Sequence, residues 1–253
     1  MRIPFAAVLA PLSAVIFPVL SLGQAPTPPV EKPAVPAPTT PADPTKPAAA
    51  PDIKKAPALP QRYQSLLVEA MNHFHIRDFP GTLKFVDRAD EVMPPTTWSL
   101  NIRGAVAIEL RDYAKGMKYC IDALKVDPDF FPAKFNICEI PFLQGKYEEA
   151  RTLWLKLYGD TKKEDPTSEL LVYRIFMTYL LEKDMDHAKE WLAKIPFPSQ
   201  TPAYHYANAA MERQQGNMAK WDEWIKSAEY VWPDSKRASF TDVLTQLGWL
   251  KKQ

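Results

Sequence analysis

Glycine is scarce in this chain, with 8 among 253 residues, and neither the GxGxxG nor the GxxxxGK[ST] pattern of a phosphate-binding loop occurs. Cysteine and histidine are also few, at 2 and 4, which argues against a structural zinc site. Basic and acidic residues nearly cancel, at 31 Lys+Arg against 30 Asp+Glu. Because phosphate binding requires a basic excess, the sequence predicts no nucleic-acid partner. These shortages argue against several classes of enzyme and favour a helical module.

The common catalytic patterns HExxH, GxSxG and SxxK do not occur in the sequence. His73 and His75 are two positions apart, so they face different sides of a helix, and His187 and His205 are isolated. We therefore assign no catalytic residue, no cofactor and no metal ligand. The seven tryptophans are interpreted as mostly core side chains.

The N-terminus has the outline of an export signal. Arg2 precedes a largely apolar run, Ile3–Leu22, which small residues close. This pattern predicts a secretory signal peptide over residues 1–23, cleaved ahead of Gln24, and hence a location in the periplasm or cell envelope. The alternative is an uncleaved anchor in the inner membrane, since about 20 apolar residues can span a bilayer. Three prolines would interrupt such a helix and favour the signal: Pro4, Pro11 and Pro18.

Proline, by contrast, is abundant, with 26 residues in the chain. Residues 24–60 contain 12 Pro and 9 Ala, and very few large apolar side chains. Such a segment cannot bury enough surface to fold, and it predicts a disordered, extended linker. Spacers of this kind resemble those of bacterial envelope proteins, where they carry a domain away from a membrane.

The remaining residues, 61–253, repeat at a spacing of 34. Small residues recur in one column and aromatic residues in another, and Pro94 and Pro128 each close a unit. This spacing indicates two amphipathic helices joined by a tight turn, in which small residues let the helix axes approach. The small column is Ala70, Gly104 and Cys138, and the aromatic column is Phe79, Tyr113 and Tyr147.

The pattern resembles the tetratricopeptide repeat family, whose unit is a 34-residue helix–turn–helix. The clearest match runs from Thr96 to Pro128, and QGKYEEARTLWLKLYGD repeats the turn and second helix. The resemblance implies an all-α, right-handed α-solenoid of about five helix–turn–helix repeats with a C-terminal capping helix. The expected repeats lie near 63–96, 97–130, 131–168, 169–201 and 202–235, and the cap covers 236–253.

Two features depart from the repeat. Phe176 occupies the small column of the fourth unit, and Pro141 lies inside a predicted first helix, which we expect to be kinked or shortened. The insertion Thr161–Ser168 shifts the phase of the later units by four residues.

The same resemblance implies a non-enzymatic scaffold or adaptor that binds a peptide or protein in a concave groove lined by the first helices. The alternative is a periplasmic carrier or accessory protein that binds a glycan or small apolar ligand through groove aromatics. A competing interpretation is that these side chains pack between helices. The positions that the resemblance places in the groove are Leu67, Met71, Phe74, Trp98, Asn101, Phe135, Glu139, Phe142, Tyr173, Met177 and Tyr206, with Ala105 and Ala210 on the same faces.

The two cysteines fall on helices that should pack together. Cys120 lies on the second helix of one unit and Cys138 on the first helix of the next, so a disulfide is possible in an oxidising compartment. The alternative is that both remain free and pack as small hydrophobic residues.

Overall fold

A computed structural model describes residues 59–163 and 165–251, and every regular element in these ranges is an α-helix. The predicted signal peptide and nearly all of the predicted linker lie outside the described residues. The helices are α1 (Gln61–His75), α2 (Phe79–Val92), α3 (Thr97–Glu109), α4 (Tyr113–Val126), α5 (Phe131–Leu143), α6 (Tyr147–Gly159), α7 (Pro166–Leu181), α8 (Met185–Leu192), α9 (Ala203–Gln214), α10 (Met218–Val231) and α11 (Asp234–Gln246).

Each odd-numbered helix from α1 to α9 packs against the helix that follows it, and each hairpin packs against the next. The described residues therefore form five helical hairpins and one final helix. The all-α solenoid of helix–turn–helix repeats expected from the sequence is confirmed.

All five hairpins use the same turn. One residue with a left-handed φ, between 62° and 83°, separates the C-cap of the first helix from the N-cap of the second. The next amide donates to a carbonyl five positions earlier, as from Asp112 N to Ala107 O at 2.9 Å, which is the Schellman pattern. The five left-handed residues are 34, 34, 38 and 33 positions apart: Arg77, Arg111, Gly145, Lys183 and Gly216. The 34-residue repeat is thus visible in the backbone, and the step of 38 from Gly145 to Lys183 contains the four extra residues of the insertion.

The first helices form the inner side of the stack. Helix α1 contacts α3, α3 contacts α5, and α7 contacts α9, whereas among the described residues the second helices show no comparable contact with one another. At three of the four steps the first helices lie closer together than the second helices, which places them on the inner side of the stack. We call the surface formed by α1, α3, α5, α7 and α9 the concave face.

The second hairpin is held close by small residues. A methyl group on Gly116 of α4 would lie 2.7 Å from Cγ1 of Ile108, and one on Gly104 of α3 would lie 3.0 Å from Sγ of Cys120. Side chains at these glycines would therefore force α3 and α4 apart.

Helix α5 continues through Pro141 to Leu143 and has 13 residues, as does α3. Of the two expected effects of Pro141, a kink or a shortening, the shortening does not occur. Pro141 lies in the last turn, where its missing amide removes at most one intrahelical hydrogen bond.

Candidate functional site

The side chains predicted to line a groove lie mostly inside the protein. Met71 and Trp98 keep partly exposed surfaces, while the other nine are buried. Their assignment as the free lining of an open groove is corrected for Leu67, Phe74, Asn101, Phe135, Glu139, Phe142, Tyr173, Met177 and Tyr206. The neighbouring Ala105 and Ala210 are buried as well.

Contacts within one hairpin and between adjacent hairpins bury part of this set. The ring of Phe135 lies 6.1 Å from Trp154 and that of Phe142 lies 5.4 Å from it, measured between centroids. Trp98 packs edge-on against Phe130 at 5.0 Å. These rings fill the wedges between helices, so the packing interpretation of the sequence holds at these positions.

The final helix covers another part of the concave face. Helix α11 contacts α7 and α9, which are first helices, as well as α10. The Tyr173 hydroxyl donates to the carbonyl of Phe240 at 3.1 Å, and the two rings lie 5.5 Å apart. The sequence predicted α11 as a cap on the last repeat, but this helix also reaches the fourth repeat.

At its N-terminal end, α11 approaches α9 and α10 through Arg237. The Arg237 guanidinium lies 3.5 Å from the Tyr206 hydroxyl and 3.7 Å from Oε1 of Glu229, and it also pairs with Asp234. A small cavity of about 210 Å³ lies here, with Thr241 and Leu250 among its other lining residues.

A buried ion pair lies beside α11. Oε1 of Glu139 on α5 is 2.9 Å from Nε of Arg174 on α7, and both side chains are 0% exposed. The same guanidinium donates through Nη2 to the carbonyl of Ser239 on α11 at 3.1 Å, and it lies 5.6 Å from the Phe135 ring centroid. Arg174 therefore connects α5, α7 and α11. It does so between α5 and α7, whose backbones do not approach as closely as those of the other neighbouring first helices described.

Burial changes the proton affinity of the carboxyls around Arg174. It raises the pKa of Glu139 to about 7, although the Arg174 charge opposes the shift. Burial also raises the pKa of Asp242 on α11 well above its ordinary value, again opposed by Arg174 and reinforced by the charges of Glu109 and Glu139. Three carboxyls from three helices thus lie within electrostatic range of one another.

Two asparagines extend this polar region toward the second repeat. Nδ2 of Asn136 donates to Oδ1 of Asn101 at 3.0 Å, and both residues are fully buried. Within the described part of the chain, Nδ2 of Asn101 and Oδ1 of Asn136 have no hydrogen-bond partner. The pair joins α3 to α5 and gives this part of the concave face a polar interior.

The possible disulfide is absent from the structure, where Cys120 and Cys138 are both free and buried. Cys120 packs with Ile108 and Ala123, whereas Cys138 belongs to the separate cluster around Trp154. The Cys138 thiol donates to the carbonyl of Lys134 at 3.2 Å. Burial raises the pKa of each thiol to about 12, so both are poor nucleophiles at neutral pH.

Two of the four histidines contact the aspartates that cap the helices beside them. Nδ1 of His73 lies 2.7 Å from Oδ2 of Asp78, and His187 makes the same contact with Asp184, where each aspartate also caps a helix. The described residues contain no group of three or more metal-binding side chains. None of the described helices is both long enough and apolar enough to cross a membrane.

The sequence interpretation missed Arg174 and Asp242, and only Arg174 left a clear signal. Arg174 stands in LLVYRIFMTYLL, the most apolar stretch of the repeat region, and Glu139 stands in the apolar NICEIPFL. A charge in a helix that must be buried requires a partner, so the two could have been paired with each other. Asp242 carried no comparable signal, because α11 looked amphipathic with an exposed polar side.

These features define a helical-repeat solenoid whose concave face holds its own C-terminal helix. No protein-family model matches the chain, and no curated protein is significantly similar to it.

Proposed function

We propose that this protein is a non-enzymatic interaction scaffold of the tetratricopeptide type, exported to the bacterial cell envelope, and that it binds a helical segment of another protein on its concave face. The supporting observation is that this face already accommodates a helix. Helix α11 lies on α7 and α9 with Phe240 as a buried aromatic anchor, which is how amphipathic helices occupy grooves in other complexes.

The concave face also suits this role chemically. Tyr173 and Arg174 hydrogen-bond to backbone carbonyls of α11, and these contacts do not depend on the side chains of the bound helix. Specificity then comes from the apolar contacts of Phe240, Val243 and Leu244. A partner would need a similar apolar stripe.

Photo-crosslinking in the native organism tests the proposal. Benzoylphenylalanine replaces Met71, which is partly exposed on the concave face, or Tyr230 of α10, which is 93% exposed. We expect a protein adduct from position 71 that is missing from position 230. Failure to form any adduct at position 71, or the same adducts at both positions, would contradict a concave binding face.

Export is proposed from the sequence alone, and the mature N-terminus tests it. Mass analysis of the native protein should find a chain that begins near Gln24 in the soluble envelope fraction. An intact Met1 in the membrane fraction would favour the anchor instead.

The glycan-carrier alternative now depends on other aromatics than those first considered, because the groove rings are buried. An outer cluster joins Phe197, which is 75% exposed, to Tyr204 at 4.8 Å and Tyr204 to Trp224 at 5.7 Å. Binding on a glycan array that a Phe197→Ala, Trp224→Ala variant loses would support this alternative. No binding by the parent protein would remove it.

A further inference from the structure

Helix α11 depends on its docking for stability. It has 13 residues, its N-cap is Pro233, and within the described chain its first turn has no side-chain capping hydrogen bond. Isolated helices of this length are marginal in water. Only two residues, Trp232 and Pro233, separate it from α10. The helix is held by its buried Phe240, Val243 and Leu244 and by its polar contacts, so any loss of docking energy raises the fraction of released helix.

The docking contacts converge on Arg174. Its guanidinium binds Glu139 on α5 at 2.9 Å and the Ser239 carbonyl on α11 at 3.1 Å. Asp242, one turn beyond Ser239 on the same helix, is partly buried and interacts electrostatically with Arg174. Arg174 thus forms an ion pair with one carboxylate and lies within electrostatic range of a second on another helix.

The third carboxyl near this cluster, Glu109, is paired with its own cation. Glu109 of α3 adds negative charge near Asp242, and its own partner Arg77 lies 2.7 Å from it. At the opposite end of α11, Tyr206 of α9 and Glu229 of α10 face Arg237. The region beside Arg174 therefore gains uncompensated negative charge when both Glu139 and Asp242 are ionised.

We propose that α11 is a releasable latch on the concave face, closed while Glu139 and Asp242 together carry at most one negative charge beside Arg174, and opened when both are ionised. The latch builds on the proposed function, because the surface of α7 and α9 that it uncovers is part of the concave face proposed to bind a partner helix. Its opening, however, is measurable without any partner.

The direction of the pH dependence follows from linkage. Both carboxyls have a raised pKa in the docked state, that of Glu139 being about 7, and Asp242 becomes hydrated when α11 leaves. An acid with a higher pKa in the docked state binds a proton on docking. Docking is therefore fully favoured below the ordinary carboxyl range, and this advantage is lost as the pH rises through the raised pKa values of the two carboxyls.

Hydrogen exchange of the full chain between pH 5 and pH 8 tests the latch, with each amide rate divided by its intrinsic chemical rate. We expect the opening of α11 to increase by at least about tenfold, since one pKa unit corresponds to a factor of ten. The amides of α4 serve as the internal reference and should not change. A corrected exchange rate of α11 that stays constant over this range would overturn the proposal.

Variants assign the effect to the proposed groups. Asp242→Asn and Glu139→Gln each mimic the neutral acid, so we expect a smaller pH dependence in α11. The control is Asp234→Asn, which neutralises an exposed carboxyl on the same helix that pairs with Arg237 and should retain the parent pH dependence. Parent behaviour in both test variants would overturn the proposal. If hydrogen exchange shows that α11 opens but photo-crosslinking finds no partner, the proposed function is contradicted and the latch proposal still stands.

Discussion

The second and fourth hairpins share a turn but are stabilised differently. In the second, Gly104 and Gly116 let α3 and α4 approach until no side chain would fit between them. In the fourth, Phe176 occupies the position of Gly104, α8 has only 8 residues, and α7 carries a buried arginine. A regular hairpin is completed by its own two helices, whereas α7 requires Glu139 from the preceding repeat and α11 from the C-terminus.

The same comparison explains where the concave face is covered. The insertion before α7 widens the step from α5, and Arg174 reaches across it to Glu139. A buried guanidinium has five donors, and one carboxylate cannot satisfy them. The carbonyl of Ser239 accepts from Nη2 of Arg174, so the position of α11 depends on the buried charge of α7 as well as on the apolar side chains of α11.

The largest expected effect is on the buried ion pair. Arg174→Met leaves Glu139 without its partner and should lower the free energy of unfolding by about 3–5 kcal/mol. The matched control is Arg151→Met, because Arg151 pairs with Glu182 at a partly exposed site and should cost about 0–1 kcal/mol. Urea denaturation at pH 7 measures both.

The pH dependence of this variant sharpens the assignment. At pH 5 the unpaired Glu139 can bind a proton, so the cost of Arg174→Met should be smaller than at pH 8. Adding Glu139→Met should recover part of the loss. Equal costs for the Arg174 and Arg151 variants would mean that the fourth hairpin does not depend on the pair.

A smaller loss is expected in the second hairpin. Gly116→Leu places a side chain where even Cβ would lie 2.7 Å from Ile108, and this overpacking should cost about 2–3 kcal/mol. Gly159→Ala is the control, since a methyl group there has no neighbour within 4 Å and should be neutral or slightly stabilising. Thermal unfolding of both variants checks the difference. A neutral Gly116→Leu would contradict the close approach of α3 and α4.

The smallest effect concerns the common turn. Lys183 has a φ of 63°, and Lys183→Gly should stabilise the chain by roughly 0.5–1 kcal/mol, because glycine adopts this conformation without a Cβ penalty. Gly216→Ala places a methyl group in the same conformation and should destabilise by about 1–2 kcal/mol. Changes of the same sign in the two variants would show that the hairpins do not share one turn.

The sequence predicted the helix pairs and their phase because spacing and turn chemistry are local properties. The burial of the first helices could not be predicted in this way. Leu67 and Phe135 have the same position in their repeats, and only the packing of their own and neighbouring hairpins decides that they are inside. The left-handed Arg77, Arg111 and Lys183 also escaped notice, since glycine is the usual residue there. Each of them nevertheless directly precedes an aspartate that caps the next helix: Asp78, Asp112 or Asp184. A basic residue followed by a capping aspartate was therefore the sequence signal for this turn.

The central claim is that the C-terminal helix lies on the fourth repeat. Nuclear Overhauser spectroscopy on the full chain, with only phenylalanine and tyrosine rings protonated, tests it most directly, because the Tyr173 and Phe240 rings lie 5.5 Å apart although the residues are 67 positions apart in sequence. The account predicts a cross-peak between these two rings at pH 5 that Phe240→Leu removes. Absence of this cross-peak at pH 5, in a spectrum where the Phe142–Tyr147 pair at 5.4 Å is visible, would contradict it.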